Sequence, residues 1–133
     1  MTDRIKVVID TNVLVSALWS SHGNPATVIM LIPKTIIPCV NPAILSEYIG
    51  VLNRDKFDFP SDARNRLLAK FIGHGIMIIP EKSEISFSDE TDRVFYDTAK
   101  EAGAILITGN KRHFPDDPSI ITPADFLTSS SNS

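Results

Sequence analysis

Three things are scarce in this chain, and each scarcity excludes something. There is one cysteine, Cys39, so an internal disulfide is excluded. Cys39 lies in the apolar run Thr35 to Val40 and reads as a buried, inert thiol, which suits a reducing compartment. Long apolar runs are also missing: none approaches the ~20 residues that a membrane helix needs. The N-terminus, Met1 to Lys6, is polar and shows no signal-peptide pattern, so the expected location is the cytoplasm. Positive charge is the third scarcity. The formal net charge is −3, which argues against a module that holds nucleic acid mainly by releasing counterions. It argues less against a nuclease, where a bound metal ion supplies the local positive charge.

What is present is an alternation of short apolar strands and helices. The 133 residues fit one domain, expected over residues 1–127. Such a chain buries roughly two-thirds of its unfolded surface and needs no staples. Ile5 to Ile9, broken only by Lys6, reads as a parallel strand covered on both faces. Val13, Leu14, Ala17 and Leu18 recur at helical spacing, and His22-Gly23-Asn24 breaks that helix. A second helix is expected from Pro25 to Leu31, followed by a strand from Thr35 to Val40. Asn41-Pro42 signals a cap and a helix start, with Ile44, Leu45, Tyr48, Ile49 and Leu52 as the apolar stripe. Pro60-Ser61 opens a further helix, with Leu67, Leu68, Phe71 and Ile72 inward and Gly73 or Gly75 at its end. Ile76 to Ile79 reads as a strand and Glu81 to Glu90 as a loop. A helix capped near Thr91 follows and stops at Gly103. Ala104 to Thr108 and Ile120-Ile121 complete the strands, and Pro123 to Leu127 makes one helical turn. Residues 128–133 are small and polar and are expected to be a disordered tail. The pattern predicts a three-layer α/β/α domain with a mainly parallel sheet of four or five strands and right-handed crossovers.

In open parallel sheets, ligands bind beyond the carboxyl ends of the strands. Asp10 ends the first strand, and Thr108, Gly109 and Asn110 end the fourth. Asp10 alone has a plain alternative, which is to cap the helix that follows. Glu47, on the Asn41 helix, and Asp92, in the first turn of its own helix, could likewise only favour helix dipoles. Together they say more, because all three sit near helix starts that follow strand ends and can converge on one edge of the sheet. Converging carboxylates raise each other's pKa. A hard cation such as Mg²⁺ or Mn²⁺ resolves that conflict with oxygen ligands, and such a centre suits phosphodiester hydrolysis.

The segment Val8-Ile9-Asp10-Thr11-Asn12-Val13-Leu14 is followed at a distance by Ser46-Glu47. Asp92 stands seven residues before Ala99, and Leu106-Ile107-Thr108-Gly109-Asn110 closes the series. In this order the four segments resemble the PIN-domain nucleases, especially the toxin components of prokaryotic toxin–antitoxin pairs. The resemblance spans about residues 5 to 122. It implies a parallel sheet flanked by helices, and Mg²⁺- or Mn²⁺-dependent cleavage of single-stranded RNA regions. It also implies an antitoxin partner and a homodimer. By resemblance Asp10, Glu47 and Asp92 are metal ligands. Asn110 stands where many members carry a fourth acid, so one metal is expected rather than two.

Short polar side chains beside these acids, Thr11, Asn12 and Thr108, are candidates for orienting a carboxylate or a water. Arg93, Lys111 and Arg112 neighbour the motif residues and are candidates for holding the RNA backbone, with a solvated basic face as the alternative. Asp89 is close enough in sequence to join the cluster, Asp97 falls on another helical face, and His113 is an exposed loop residue. Two rival functions remain open at this level. A phosphotransferase with a nucleophilic Asp10 would need an acid two residues on, where Asn12 stands, and Lys111 is only a loose match for its lysine. A non-catalytic PIN-like RNA-binding or scaffold module would gain little from three clustered acids.

Overall fold

The computed structural model describes residues 3–131, and within them five strands and six helices alternate. The strands are β1 (Ile5–Ile9), β2 (Ile36–Val40), β3 (Ile76–Met77), β4 (Ile105–Ile107) and β5 (Ile120–Ile121). The helices are α1 (Thr11–Trp19), α2 (Asn24–Met30), α3 (Pro42–Leu52), α4 (Ser61–His74), α5 (Glu90–Ala102) and α6 (Pro123–Ser131). Every pairing in the sheet is parallel, and the order is β3-β2-β1-β4-β5. Val7, Val8 and Ile9 on central β1 are all fully buried although their side chains alternate between faces. Helices therefore cover both faces, and the domain is the three-layer α/β fold that the apolar spacing predicts.

The termini of the helices follow their capping chemistry. Asn41 precedes α3, and its side-chain oxygen accepts the Ile44 amide at 3.0 Å. Its amide group donates to the Ile78 carbonyl at 3.0 Å and to the Thr98 hydroxyl at 2.9 Å, which ties α3 to the end of β3 and to α5. Asp89 caps α5 by accepting the Thr91 amide at 3.0 Å. Gly103 ends α5 in the left-handed region at φ 63°, where glycine bears no Cβ penalty. Along α5 the buried residues Phe95, Thr98, Ala99 and Ala102 form one stripe at helical spacing.

Some boundaries and faces differ from the sequence expectation. Ile49 and Ile72 are 43% and 60% exposed, because each sits about 100° round the helix from a fully buried aromatic, Tyr48 or Phe71. Strand β3 pairs only through Ile76 and Met77, and Ile79 beyond it is 68% exposed. Helix α4 runs through Gly73 to His74. Helix α6 runs on to Ser131, so residues 128–131 are helical where a disordered tail was expected, and residues 132–133 lie outside the described part. Thr122 starts α6 by accepting the Asp125 amide, and Phe126 anchors it at 1% exposure. The Thr128 and Ser129 hydroxyls return to the Ala124 and Asp125 carbonyls, which satisfies small polar side chains inside a helix.

Candidate active site

The chain leaves β1 toward β2 and β3 on one side, then returns to lay β4 and β5 on the other. The order therefore reverses between β1 and β4, and a crevice opens there beyond the carboxyl ends of the strands. Asp10 and Thr108 stand on either side of that reversal. The Asp10 amide continues the ladder by donating to the Ile107 carbonyl at 2.9 Å. Asp10 occupies the capping position of α1 but makes no side-chain capping bond, so capping does not explain it. Its Oδ2 instead accepts from the Thr108 hydroxyl at 2.8 Å and from the Asn12 amide at 3.3 Å. Thr108 in turn accepts the Asn110 amide N–H, and Asn12 Oδ1 accepts the Gly109 N–H, each at 3.0 Å. The two strand-end loops are thus laced together through Asp10, Asn12 and Thr108. Burial pushes the Asp10 carboxyl above its usual range, against the pull of the Thr108 hydroxyl and the Thr11 backbone.

Two helices bring the other acids to this crevice. Tyr48, fully buried, donates its hydroxyl to the Ile9 carbonyl at 2.5 Å. That bond joins α3 to the end of β1 one residue beyond Glu47 and one residue before Asp10. Burial raises the Tyr48 phenol well above its ordinary pKa, so it remains a donor. On α5, Asp92 extends the buried Phe95–Ala99 stripe one turn toward the helix start. Its carboxyl is pushed up to about 6, first by burial and then by the charges of Asp10 and Asp89, with Glu47 adding and His113 opposing. The His113 ring nitrogen Nδ1 lies 3.6 Å from Asp92 Oδ2.

Asp10, Thr11, Glu47, Asp89, Asp92 and His113 border one cleft of about 390 Å³. Asn12 is shared with a second depression, lined also by Gly109 and Asn110. Asn110 borders that neighbour, and its amide nitrogen lies 3.0 Å from Nε2 of His113, which borders the acidic cleft. Arg93 is turned away. It donates to Glu90 at 2.6 Å and to the Ser83 carbonyl at 2.5 Å, and it lies over the Phe87 ring at 5.2 Å. These partners occupy the guanidinium outside the acidic cleft. Lys111 and Arg112 are exposed on the short 3-10 turn that carries His113, and neither borders the cleft. Sequence reasoning missed Trp19, Arg54 and Phe57, which do border it. No local pattern signals Arg54, which lies two residues beyond the end of α3 while Glu47 and Val51 lie on that helix.

The donor set fits a hard divalent cation by kind: carboxylate oxygens gathered in one cleft, where they outnumber the other ionisable side chains, His113 and Arg54. Thr11 supports the same reading. It is buried at 6% exposure, borders the cleft, and its hydroxyl has no protein partner, which calls for a ligand or an ordered water there. Among the described residues, no group of three His, Cys, Asp or Glu side chains already stands in a ligating arrangement. The acids share a cleft without closing on a single point.

Fold and cleft together define a class: a parallel α/β domain whose acids meet at the topological switch point. The chain belongs to the PIN domain family, a family of nucleases, and matches it over residues 6–112. It is 34% identical over 121 residues to the uncharacterized protein MJ1680 of Methanocaldococcus jannaschii, covering 81% of this chain and 72% of that one. Two solved structures share the fold. The crystal structure of VapBC2 from Rickettsia felis, bound to a DNA fragment from its promoter, aligns with TM-score 0.57 at 18% identity. That alignment covers 89% of this chain and 97% of the other. PAE2754 from Pyrobaculum aerophilum aligns with TM-score 0.56 at 14% identity over 97% and 91% of the two chains. No helix among the described residues is long and apolar enough to cross a membrane.

Proposed function

We propose that this PIN domain is a Mg²⁺- or Mn²⁺-dependent endoribonuclease that hydrolyses phosphodiester bonds in single-stranded RNA regions. We read it as the toxin of a toxin–antitoxin pair. The observation that carries the reading is the acidic cleft at the switch point, where Asp92 is pushed up to about 6 by burial and by its neighbours' charges. A fold tolerates such mutual repulsion where a cation is to be held. Asp10, Glu47 and Asp92 would hold it, and Asn110, on the neighbouring depression, adds no charge, which favours one ion over two. The ion supplies Lewis-acid chemistry for phosphodiester hydrolysis. Thr108 and Asn12 fix the Asp10 carboxylate through Oδ2. The orphaned Thr11 hydroxyl is placed to bind an oxygen of water or phosphate in the cleft. Lys111 and Arg112, exposed beside His113, remain the residues for the RNA backbone outside the cleft.

The toxin-type motifs are the basis for an antitoxin partner, a homodimer and work on RNA in the cytoplasm, and the fold is shared with VapBC2. One observation favours a non-catalytic RNA-binding PIN module instead, namely that no three acids already stand in ligating positions among the described residues. One experiment separates the two. Purified protein is incubated with unstructured RNA in Mn²⁺, in Mg²⁺ and in chelator, beside Asp10→Asn. We expect metal-dependent cleavage that chelator abolishes and that Asp10→Asn reduces by at least ~100-fold. If the parent binds RNA but leaves it intact with either metal, the enzymatic reading falls and the binding module stands.

A further inference from the structure

The wall of the cleft opposite α5 is unlike the rest of it. Trp19, at the end of α1, is 66% exposed, which is unusual for the largest apolar side chain. It is nevertheless braced. Its ring meets Phe57 edge-on at 5.3 Å and 78°, and Phe59 at 6.0 Å and 63°. Phe57 and Phe59 stack on each other at 5.3 Å and 15°. Between them the backbone turns through the left-handed region at Asp58, φ 48°, a conformation that side chains seldom adopt. Two cations interleave with these rings. Arg54 lines the cleft beside Trp19 and Phe57, and Lys56 lies over the Phe57 ring at 5.2 Å. Apart from His113, every other ionisable group on the cleft is an acid: Asp10, Glu47, Asp89 and Asp92. Arg54 forms no salt bridge among the described residues, so no carboxylate of the cleft engages its guanidinium.

An open, braced aromatic face next to an unengaged guanidinium is the pairing that single-stranded nucleic acid takes. Bases stack on the ring whatever their sequence, and the backbone phosphate meets the cation. The geometry points to Trp19 and Arg54, supported by Phe57, as a subsite that stacks one unpaired base and binds its phosphate beside the carboxylates. This rests on the nuclease reading and adds to it how the strand is held. The acids alone repel the phosphate backbone, and Arg54 is the fixed cation on the cleft that offsets them. The subsite selects for unpaired nucleotides, because a base inside a duplex has no free face to offer.

The chain's single tryptophan is Trp19, so its fluorescence reports on this wall alone. The probe is a short unstructured RNA oligonucleotide, titrated in chelator so that it stays intact, with cleavage in Mn²⁺ followed in parallel. We expect saturable quenching of Trp19. Trp19→Ala should weaken binding about ten-fold or more, the size of one lost stack, while Trp19→Phe keeps most of the affinity. Arg54→Ala should weaken binding and reduce its salt dependence by about one phosphate contact. In cleavage, both losses should appear mainly in KM. Unfolding midpoints check that each variant remains folded, and Arg54→Ala carries the test if Trp19→Ala does not fold. Normal cleavage without quenching, and with variants that bind like the parent, overturns the subsite and leaves the nuclease reading intact. A parent that neither binds nor cleaves RNA overturns both. If Trp19 emission instead shifts with protein concentration and ignores RNA, the cluster is an interface between copies and the subsite falls.

Discussion

Helix α5 carries two aspartates five residues apart, Asp92 and Asp97, and each borders a hollow of about 390 Å³. Size does not distinguish the two hollows, but the state of their polar groups does. On the Asp97 side the charges are matched. Asp97 is buried at 5% exposure and accepts the Ser83 amide at 2.9 Å. Arg93 reaches the Ser83 carbonyl and pairs with Glu90, and the rest of the wall is mostly apolar, with Ile79, Pro80 and Val94 beside Asn41 and Lys82. On the Asp92 side acids outnumber the other ionisable groups, His113 and Arg54. Asp10, Glu47, Asp89 and Asp92 share one cleft, Thr11 has a hydroxyl without a partner, and the Asp92 carboxyl is raised to about 6. An acid held alone by its own donor organises structure, whereas a cluster of like-charged ones stores repulsion that a ligand relieves. One helix thus carries one acid tied into the fold and another in a crowded acidic cleft.

Exchanging the two acids tests that difference most strongly. Asp92→Asn should lower metal-dependent RNA cleavage by at least ~100-fold while the unfolding midpoint in chelator holds or rises, since a repelled charge is removed. Asp97→Ala should do the reverse. It strips the Ser83 amide of its acceptor and costs about 1–3 kcal/mol in denaturant unfolding, while cleavage per folded molecule is retained. Loss of cleavage in a fully folded Asp97→Ala protein would break the contrast.

A smaller effect lies in the pH dependence of stability. Asp92 has a carboxyl at about 6 in the fold against an ordinary 3.8, so the folded chain binds a proton more tightly than the unfolded one. That contribution is fully present below about 4 and is lost as pH rises through 6. Asp89 and Asp117 have lowered values and act in the opposite sense, losing stability as pH falls. Thermal unfolding in chelator isolates the Asp92 part as parent minus Asp92→Asn. The difference in midpoint should decline between pH 4 and 7 and level off above. A flat difference would mean that neither burial nor its neighbours' charge raises the Asp92 carboxyl.

Much of this was legible before any coordinates. Apolar runs at strand length, separated by helical stripes, dictated a parallel three-layer domain, because only a sheet covered on both faces accepts strands such as Ile5–Ile9. The position of Asp10 at a strand end followed from the same run. The directions of long side chains were not legible. Arg93 neighbours Asp92 in sequence yet faces the opposite hollow, since successive residues on a helix point about 100° apart. Trp19 and Phe57 meet across 38 residues of chain, and no local pattern announces such a pair. The extent of α6 was also hidden, because serine and threonine have low helix propensity and the segment is held by packing of Phe126 and Leu127 against the core.

By itself, then, the sequence determined the order of elements, the parallel sheet and the presence of Asp10 and Asp92 at helix starts, all of which follow from periodicity and capping over a few residues, whereas Glu47 falls in the middle of α3. The tertiary structure decided which side of α5 borders the acidic cleft, that Asn110 borders the neighbouring depression, and that Arg54 and Trp19 border the cleft. Those outcomes depend on strand order and on the angles at which helices pack, which are properties of the whole chain rather than of any window along it.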